Sequence, residues 1–198
     1  LGNLGNSQEH FFEHAQGTHA LFKTLFDGFD NPVSTIYDGL ARLAPNGRVM
    51  TAREPDGRLY GPAIFRIHYG GYAYAPHFDS VRWRENRVNY EVYRFEHQLA
   101  GLICFQNSEI EGESAQAILH RCLWTPEINE HIKQGTFHQY AAENHIQSVR
   151  VDLEPGDLYF FNTRCIHEVP GVKGQAPRIV LAVFIGYSPG DEEVFVWS

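Results

Sequence analysis

The chain has 198 residues, 43% hydrophobic and 20% charged, which fits one domain with a substantial core. Its net charge of −8 argues against nucleic acid as a partner, and no apolar run approaches the roughly 20 residues of a membrane-spanning helix. Cys104, Cys122 and Cys165 lack CxxC spacing, which speaks against a disulfide scaffold or thiolate zinc site and for a reducing, cytoplasmic setting.

From Ser7 to Phe29 the residues Phe11, Phe12, Ala15, His19, Phe22 and Phe26 recur at three- and four-residue steps and predict a helix. Asp30-Asn31-Pro32 ends it, and a second helix is expected from Pro32 to Leu43, stopped by Pro45-Asn46-Gly47. Residues 1–58 are therefore read as helical support for a core over 59–198. In AIFRIHY, Phe65, Ile67 and Tyr69 alternate with Ile64, Arg66 and His68; the alternation is read with Tyr69 inward and Arg66 and His68 outward. Gly70-Gly71 interrupts the strand before YAYAPHFDSV resumes it. LAGLICFQ is a buried strand, VRVDL and LYFFN flank the turn EPGD, and RIVLAVFIGY is the longest strand candidate, followed by EVFVW. Two polar stretches, about 82–98 and 120–147, read as lid insertions. Helices followed by many short strands imply a mainly β antiparallel sandwich or barrel with N-terminal helices.

His77-Phe78-Asp79 lies in an extended segment, where residues i and i+2 project to one face and can grip one ion. A third ligand from a distant strand would complete a facial two-His, one-carboxylate set, the preferred site of non-haem Fe(II) oxygenases. His167 in FFNTRCIHEVPG fits, and Arg178, 11 residues on, could bind an organic acid. Cys165 is read as a packed core residue. His97, His120, His131, His138 and His145 are read mostly as surface histidines, and Glu109, Glu111 and Glu113 as turn surface. Asn162 could hold a ligand in place or close a turn.

With these motifs in view, Gly61 to Tyr187 resembles the Fe(II)/2-oxoglutarate-dependent dioxygenase superfamily, whose core is a double-stranded β-helix (jelly roll, cupin-like). HYGGYAYAPHFD and EPGDLYFFNTRCIHEV are similar to core motifs of procollagen-type prolyl 4-hydroxylases, and EGESA stands where those enzymes carry a Gly-Gly-Glu-Thr-type turn. The basic residue after the second histidine is Arg178 rather than their lysine. The 90-residue gap from His77 to His167 is nearer to phytanoyl-CoA hydroxylase-like enzymes.

The resemblance implies Fe(2+), 2-oxoglutarate as cosubstrate and O2. His77, Asp79 and His167 would bind the metal, and Arg178 the far carboxylate of 2-oxoglutarate with Tyr69 assisting. The implied reaction hydroxylates an unactivated C–H bond of a small molecule, an amino acid or natural product, releasing succinate and CO2. Related halogenases carry Gly or Ala in place of the carboxylate, so Asp79 favours hydroxylation. The insertions offer Arg82, Trp83, Phe95 and Trp124 as substrate contacts. Alternatives are a prolyl or other protein hydroxylase, a relative of the carrier-free halogenases, and a noncatalytic metal-binding jelly-roll module.

Overall fold

The computed structural model describes residues 7–44, 47–69 and 71–198. Two N-terminal helices open it. Helix α1 (Gln8–Leu25) begins where the Ser7 hydroxyl accepts from the His10 amide, and it buries Phe11, Phe12, Ala15 and Phe22. Helix α2 (Pro32–Leu43) is capped by Asn31, starts on a proline whose missing N–H costs nothing there, and buries Val33, Ile36 and Leu40. Both helices match the sequence expectation. The proposed stop at Pro45-Asn46 lies outside the described residues, as does Gly70 of the glycine pair.

The remaining elements, in chain order, begin with β1 (Arg48–Thr51), β2 (Ile64–His68), β3 (Tyr74–His77) and β4 (His97–Gln106). A small hairpin of β5 (Glu109–Ile110) and β6 (Glu113–Ser114) leads to β7 (Ala117–Leu123), α3 (Pro126–Gln134) and α4 (Phe137–Glu143). The chain closes with β8 (Ser148–Val151), β9 (Leu158–Asn162), β10 (Cys165–Val169), β11 (Arg178–Tyr187) and β12 (Glu193–Trp197).

These strands form two facing layers. The larger sheet runs β1-β12-β11-β4-β9, with β2 pairing the N-terminal half of β11; the smaller runs β3-β10-β7-β8. Strands β8 and β9, joined by EPGD, fall in different sheets, and β9 and β10 again cross from one layer to the other. That alternation is the jelly-roll plan. It leaves an open sandwich rather than a closed barrel.

Strand periodicity divides each layer into two unlike faces. On β11, Leu181, Val183 and Ile185 point outward and pack, with Ile103 of β4, against Phe22, Ile36 and Leu40 of the helices. The alternate residues Arg178, Ala182 and Phe184 line a cavity between the sheets. The main apolar core thus lies outside the sandwich, under α1 and α2. The interior is left free for a site.

Several expectations need correction. Residues 48–51 are not helical support but strand β1, parallel to β12. The stretch 82–98 is not an open lid: Tyr90, Val92 and Phe95 are buried with Phe11, Phe12 and Tyr60 in a second cluster, and a 3-10 turn spans Glu91–Arg94. Of 120–147, the first residues complete β7, and the middle forms α3 and α4. These two helices bury Ile128, Phe137 and Ala141 against Phe78 and Ile166 on the outer face of the smaller sheet. Their signals were present in the sequence: Thr125 caps α3 through the Ile128 amide, Pro126 starts it, and Gly135 ends it in the left-handed region at φ 70°. Among the described residues no helix is long and apolar enough to cross a membrane.

Candidate metal centre and acid-binding cavity

Strands β3 and β10 are antiparallel neighbours, and their register sets His77 directly opposite His167, with ring centroids 4.2 Å apart. The chain leaves β3 just past His77 but stays extended, its direction fixed by the Asp79 amide donating to the Thr163 carbonyl at 2.9 Å. Asp79 therefore shares the inward face with His77, while Phe78 turns outward into the cluster under α3 and α4. Asp79 Oδ2 lies 3.4 Å from His167 Nε2 and 3.9 Å from His77 Nε2. One ligand atom from each residue lies within 4.8 Å of the others, and among the described residues this is the one such group of three or more.

The ring orientations are fixed from behind. His77 Nδ1 donates to the Ala75 carbonyl at 2.7 Å, and His167 Nδ1 to the Cys165 carbonyl at 2.8 Å. With the proton held on Nδ1, each Nε2 presents a lone pair to the shared space, the form a metal requires. Burial and the neighbouring His167 pull the pKa of His77 down to about 4, keeping it neutral at ordinary pH. Burial alone would raise Asp79. Its contacts with His167 and His77 and the positive charge of Arg84 outweigh it and hold the carboxyl at about 2. Two imidazoles and a carboxylate, each offering one atom, could hold one borderline divalent ion such as Fe(II) and leave three of six positions open.

The cavity running from these residues, about 590 Å³ with its open mouth, is walled by Leu102, Tyr159, Phe161, Ala182 and Phe184. Arg178 lines the same cavity and is only 4% exposed. Its Nε has no hydrogen-bond partner among the described residues. Burial lowers its pKa, and the groups that favour its charge are Tyr159, Cys104 and Tyr74, none of them a carboxylate. Tyr159 is itself neutral, its pKa pushed up to about 12 by burial. A buried guanidinium without an anion is costly unless a ligand supplies one. Two more basic side chains share this wall: His68, directly across from Arg178 in the β2–β11 register, and Arg66. Burial, Arg178 and Arg66 together lower His68 to about 4, so it is uncharged at neutral pH.

The two faces of β2 are thus the reverse of the sequence reading. Phe65 packs toward Phe22 on the helix side, Tyr69 is 68% exposed, and Arg66 and His68 face the cavity. Tyr69 cannot assist acid binding from there; Tyr159 and Tyr74 are the tyrosines on the cavity wall. Alternation in the sequence distinguishes two faces but not which one points in.

The candidate substrate contacts also disperse. Phe95 is 3% exposed inside the α1 cluster. Arg82 lies against Trp83 and Tyr93, and its Nη1 reaches the Phe95 carbonyl. Trp83 stacks on Trp124, and Trp124 on Phe78, along the outer side of the smaller sheet. None of the four lines the cavity. Asn162 closes a turn, accepting from the Arg164 amide at 2.9 Å, and the Cys165 thiol donates to the His120 carbonyl. His120 is buried rather than superficial, paired with Glu168 on the face of β10 opposite His167.

Comparison with known proteins agrees with this arrangement. The family model described as "Carrier-protein-independent halogenase WelO5" matches residues 1–198. The chain belongs to the WelO5 family. Its fold is similar to that of an N-substituted L-amino acid dioxygenase from Burkholderia ambifaria AMMD, at 16% identity and a TM-score of 0.56 over 94% of this chain and 72% of that one. The same dioxygenase in complex with alpha-KG gives 15% identity and a TM-score of 0.57 over the same shares. No curated protein matches the chain. Membership of the WelO5 family places the chain in the Fe(II)/2-oxoglutarate-dependent superfamily, with Fe(II), 2-oxoglutarate and O2 as its cofactor set.

Proposed function

We propose that the protein hydroxylates an unactivated C–H bond of a free small molecule, an amino acid or natural product, converting 2-oxoglutarate to succinate and CO2. The observation that carries this reading is Asp79 itself. The carboxylate lies beside His77 and His167, its oxygen 3.4 Å from the nearer imidazole nitrogen, which supports reading the three as a facial set. His77 Nε2, Asp79 Oδ2 and His167 Nε2 would hold the iron. When bound, iron supplies the oxygen activation that couples decarboxylation of the cosubstrate to oxidation of the substrate.

The chain's own share is positioning. Ala75 and Cys165 carbonyls keep the ligand nitrogens aimed inward, and Arg178 takes the far carboxylate of 2-oxoglutarate in a planar two-point pair. Leu102, Phe161, Ala182 and Phe184 exclude water from the space between. An internal cavity between two sheets suits a small molecule better than an extended peptide, and the carrier-independence in the family's description points the same way.

Halogenation is the second reading, favoured by the family match. It requires a coordination position for halide, and here Asp79 occupies the place that halogenases leave to Gly or Ala. The test is to supply candidate amino acids and natural products with Fe(II), 2-oxoglutarate, O2 and excess bromide, then analyse products by mass. A gain of one oxygen is expected, together with succinate; brominated product from the unmutated chain would refute the hydroxylase reading. Peptides that accelerate succinate release where small molecules do not would turn the assignment toward protein hydroxylation.

A further inference from the structure

A second, smaller cavity lies beside the turn that follows Asp79, and it shares no lining residue with the metal cavity. Arg82, Gln98, Arg164 and Trp197 line it. Each brings a buried donor (Nε, Nε2, Nε and Nε1 in turn) with no hydrogen-bond partner among the described residues. The Gln98 amide has its orientation settled: its oxygen accepts from the Val81 amide at 2.8 Å, so the unpaired end is the NH2 donor. Trp197 is 1% exposed, and an indole nitrogen can only donate. Arg82 keeps one terminal nitrogen on the Phe95 carbonyl, while Arg84, two residues on, returns to Asp79 Oδ1 at 2.8 Å. The Ser80 hydroxyl oxygen, also on the wall, already accepts from the Arg82 and Trp83 amides and has only its hydrogen left to give. Among the described residues neither Arg82 nor Arg164 forms an ion pair, and the acid on this wall, Glu96, is exposed.

We propose that this cavity binds one small inorganic anion of chloride size, held by the two guanidiniums, the Gln98 NH2 group and the Trp197 indole N–H. Charge and donor count select the ligand. A water molecule accepts two hydrogen bonds and must place two hydrogens of its own, so it would leave two of the four donors unmet. A halide accepts from every side and meets both positive charges. The room left between the side chains is about that of one water-sized group, too little for sulfate or phosphate. The bound ion would tie the turn after Asp79 to the start of β4, the turn before β10 and the end of β12. Two of these segments already meet behind the ligand: the Gln98 carbonyl accepts from the Thr163 amide at 3.2 Å, and the Thr163 carbonyl from the Asp79 amide. The anion thus braces the chain that carries Asp79 without a bond to the metal.

The test uses the full chain, stripped of metal with a chelator so that no halide can sit on a metal ion. Thermal unfolding is followed in sodium chloride and in sodium gluconate at equal ionic strength. The midpoint should rise with chloride along a saturating curve, by about 3–6 °C at ten times the Kd, and bromide should replace chloride. Gln98→Glu keeps the acceptor for the Val81 amide and puts a carboxylate oxygen where the NH2 stood. Its chloride dependence should vanish, and its midpoint in gluconate should match or exceed that of the wild type. Arg164→Gln should weaken chloride about tenfold or more, and it carries the comparison alone if the Gln98 variant unfolds. In crystals grown with bromide, an anomalous peak is expected between Gln98 Nε2 and Trp197 Nε1. Equal midpoints in chloride and gluconate for the unmutated chain, the same saturating rise in both variants, or no bromide peak at this position overturns the proposal.

Discussion

Replacing Arg178 with methionine keeps most of the side-chain volume and removes a charge buried to 4% exposure with no carboxylate among the described groups that favour its charge. Two opposite effects follow from the same geometry. Without cosubstrate, the wild-type guanidinium is buried with its Nε unpaired among the described residues, so methionine is expected to stabilise the apo protein, by about 1 kcal/mol or more. With cosubstrate, the variant lacks the two-point pair to the far carboxylate. Removing one member of a buried charge pair costs about 2–5 kcal/mol. A loss near the middle of that range, about 3–4 kcal/mol, weakens binding by about two to three decades, since about 1.4 kcal/mol is tenfold. The assay pairs an anaerobic 2-oxoglutarate titration with thermal unfolding in the absence and presence of saturating 2-oxoglutarate. A higher apo midpoint, with the ligand-induced rise largely gone, is expected. Wild-type affinity within threefold, or a destabilised apo protein, would refute the view that Arg178 is an unpaired cation awaiting an acid.

His68 faces the same cavity with its pKa lowered to about 4, so in the unfolded chain it takes up a proton near pH 6.5 that the folded protein refuses. Its contribution to stability is present above pH 6.5 and is lost as pH falls toward 4. The apo unfolding midpoint of His68→Phe should therefore fall less steeply over that window, and identical slopes would contradict the assignment. Phe95→Ala should destabilise the protein by about 3–5 kcal/mol in chemical unfolding while leaving the substrate KM unchanged, because the ring fills the α1 cluster rather than the cavity. A KM effect with normal stability would restore Phe95 to the substrate site.

Local rules carried the sequence reading a long way. Helix caps and apolar spacing placed α1 and α2, and turn signals placed β8, β9, β11 and β12. The HxD motif in extended context, with a later histidine and arginine, named the four residues that the structure brings to one cavity. What local pattern could not supply was which side of a strand faces the site. Strand β2 is partly covered on both faces, Phe65 against the helices and Arg66 and His68 over the cavity, so the usual rule of apolar inward sent Tyr69 in and Arg66 and His68 out. The polar stretches 82–98 and 120–147 misled for a related reason. Their buried residues, among them Tyr90, Val92, Ile128 and Phe137, are spaced too sparsely to stand out, and they pack on clusters built from distant parts of the chain. Arg84 had no signal beyond a run of arginines. Only the turn after Asp79 shows which of them returns to the ligand.

The most direct measurement is an anaerobic Fe(II) titration in the presence of 2-oxoglutarate, read by the visible charge-transfer band, on the wild-type chain and on His77→Ala and His167→Ala. One equivalent per chain should saturate the wild-type band, and both variants should fail to develop it at the same concentrations. A band of wild-type strength and affinity in either variant would mean that the iron sits elsewhere.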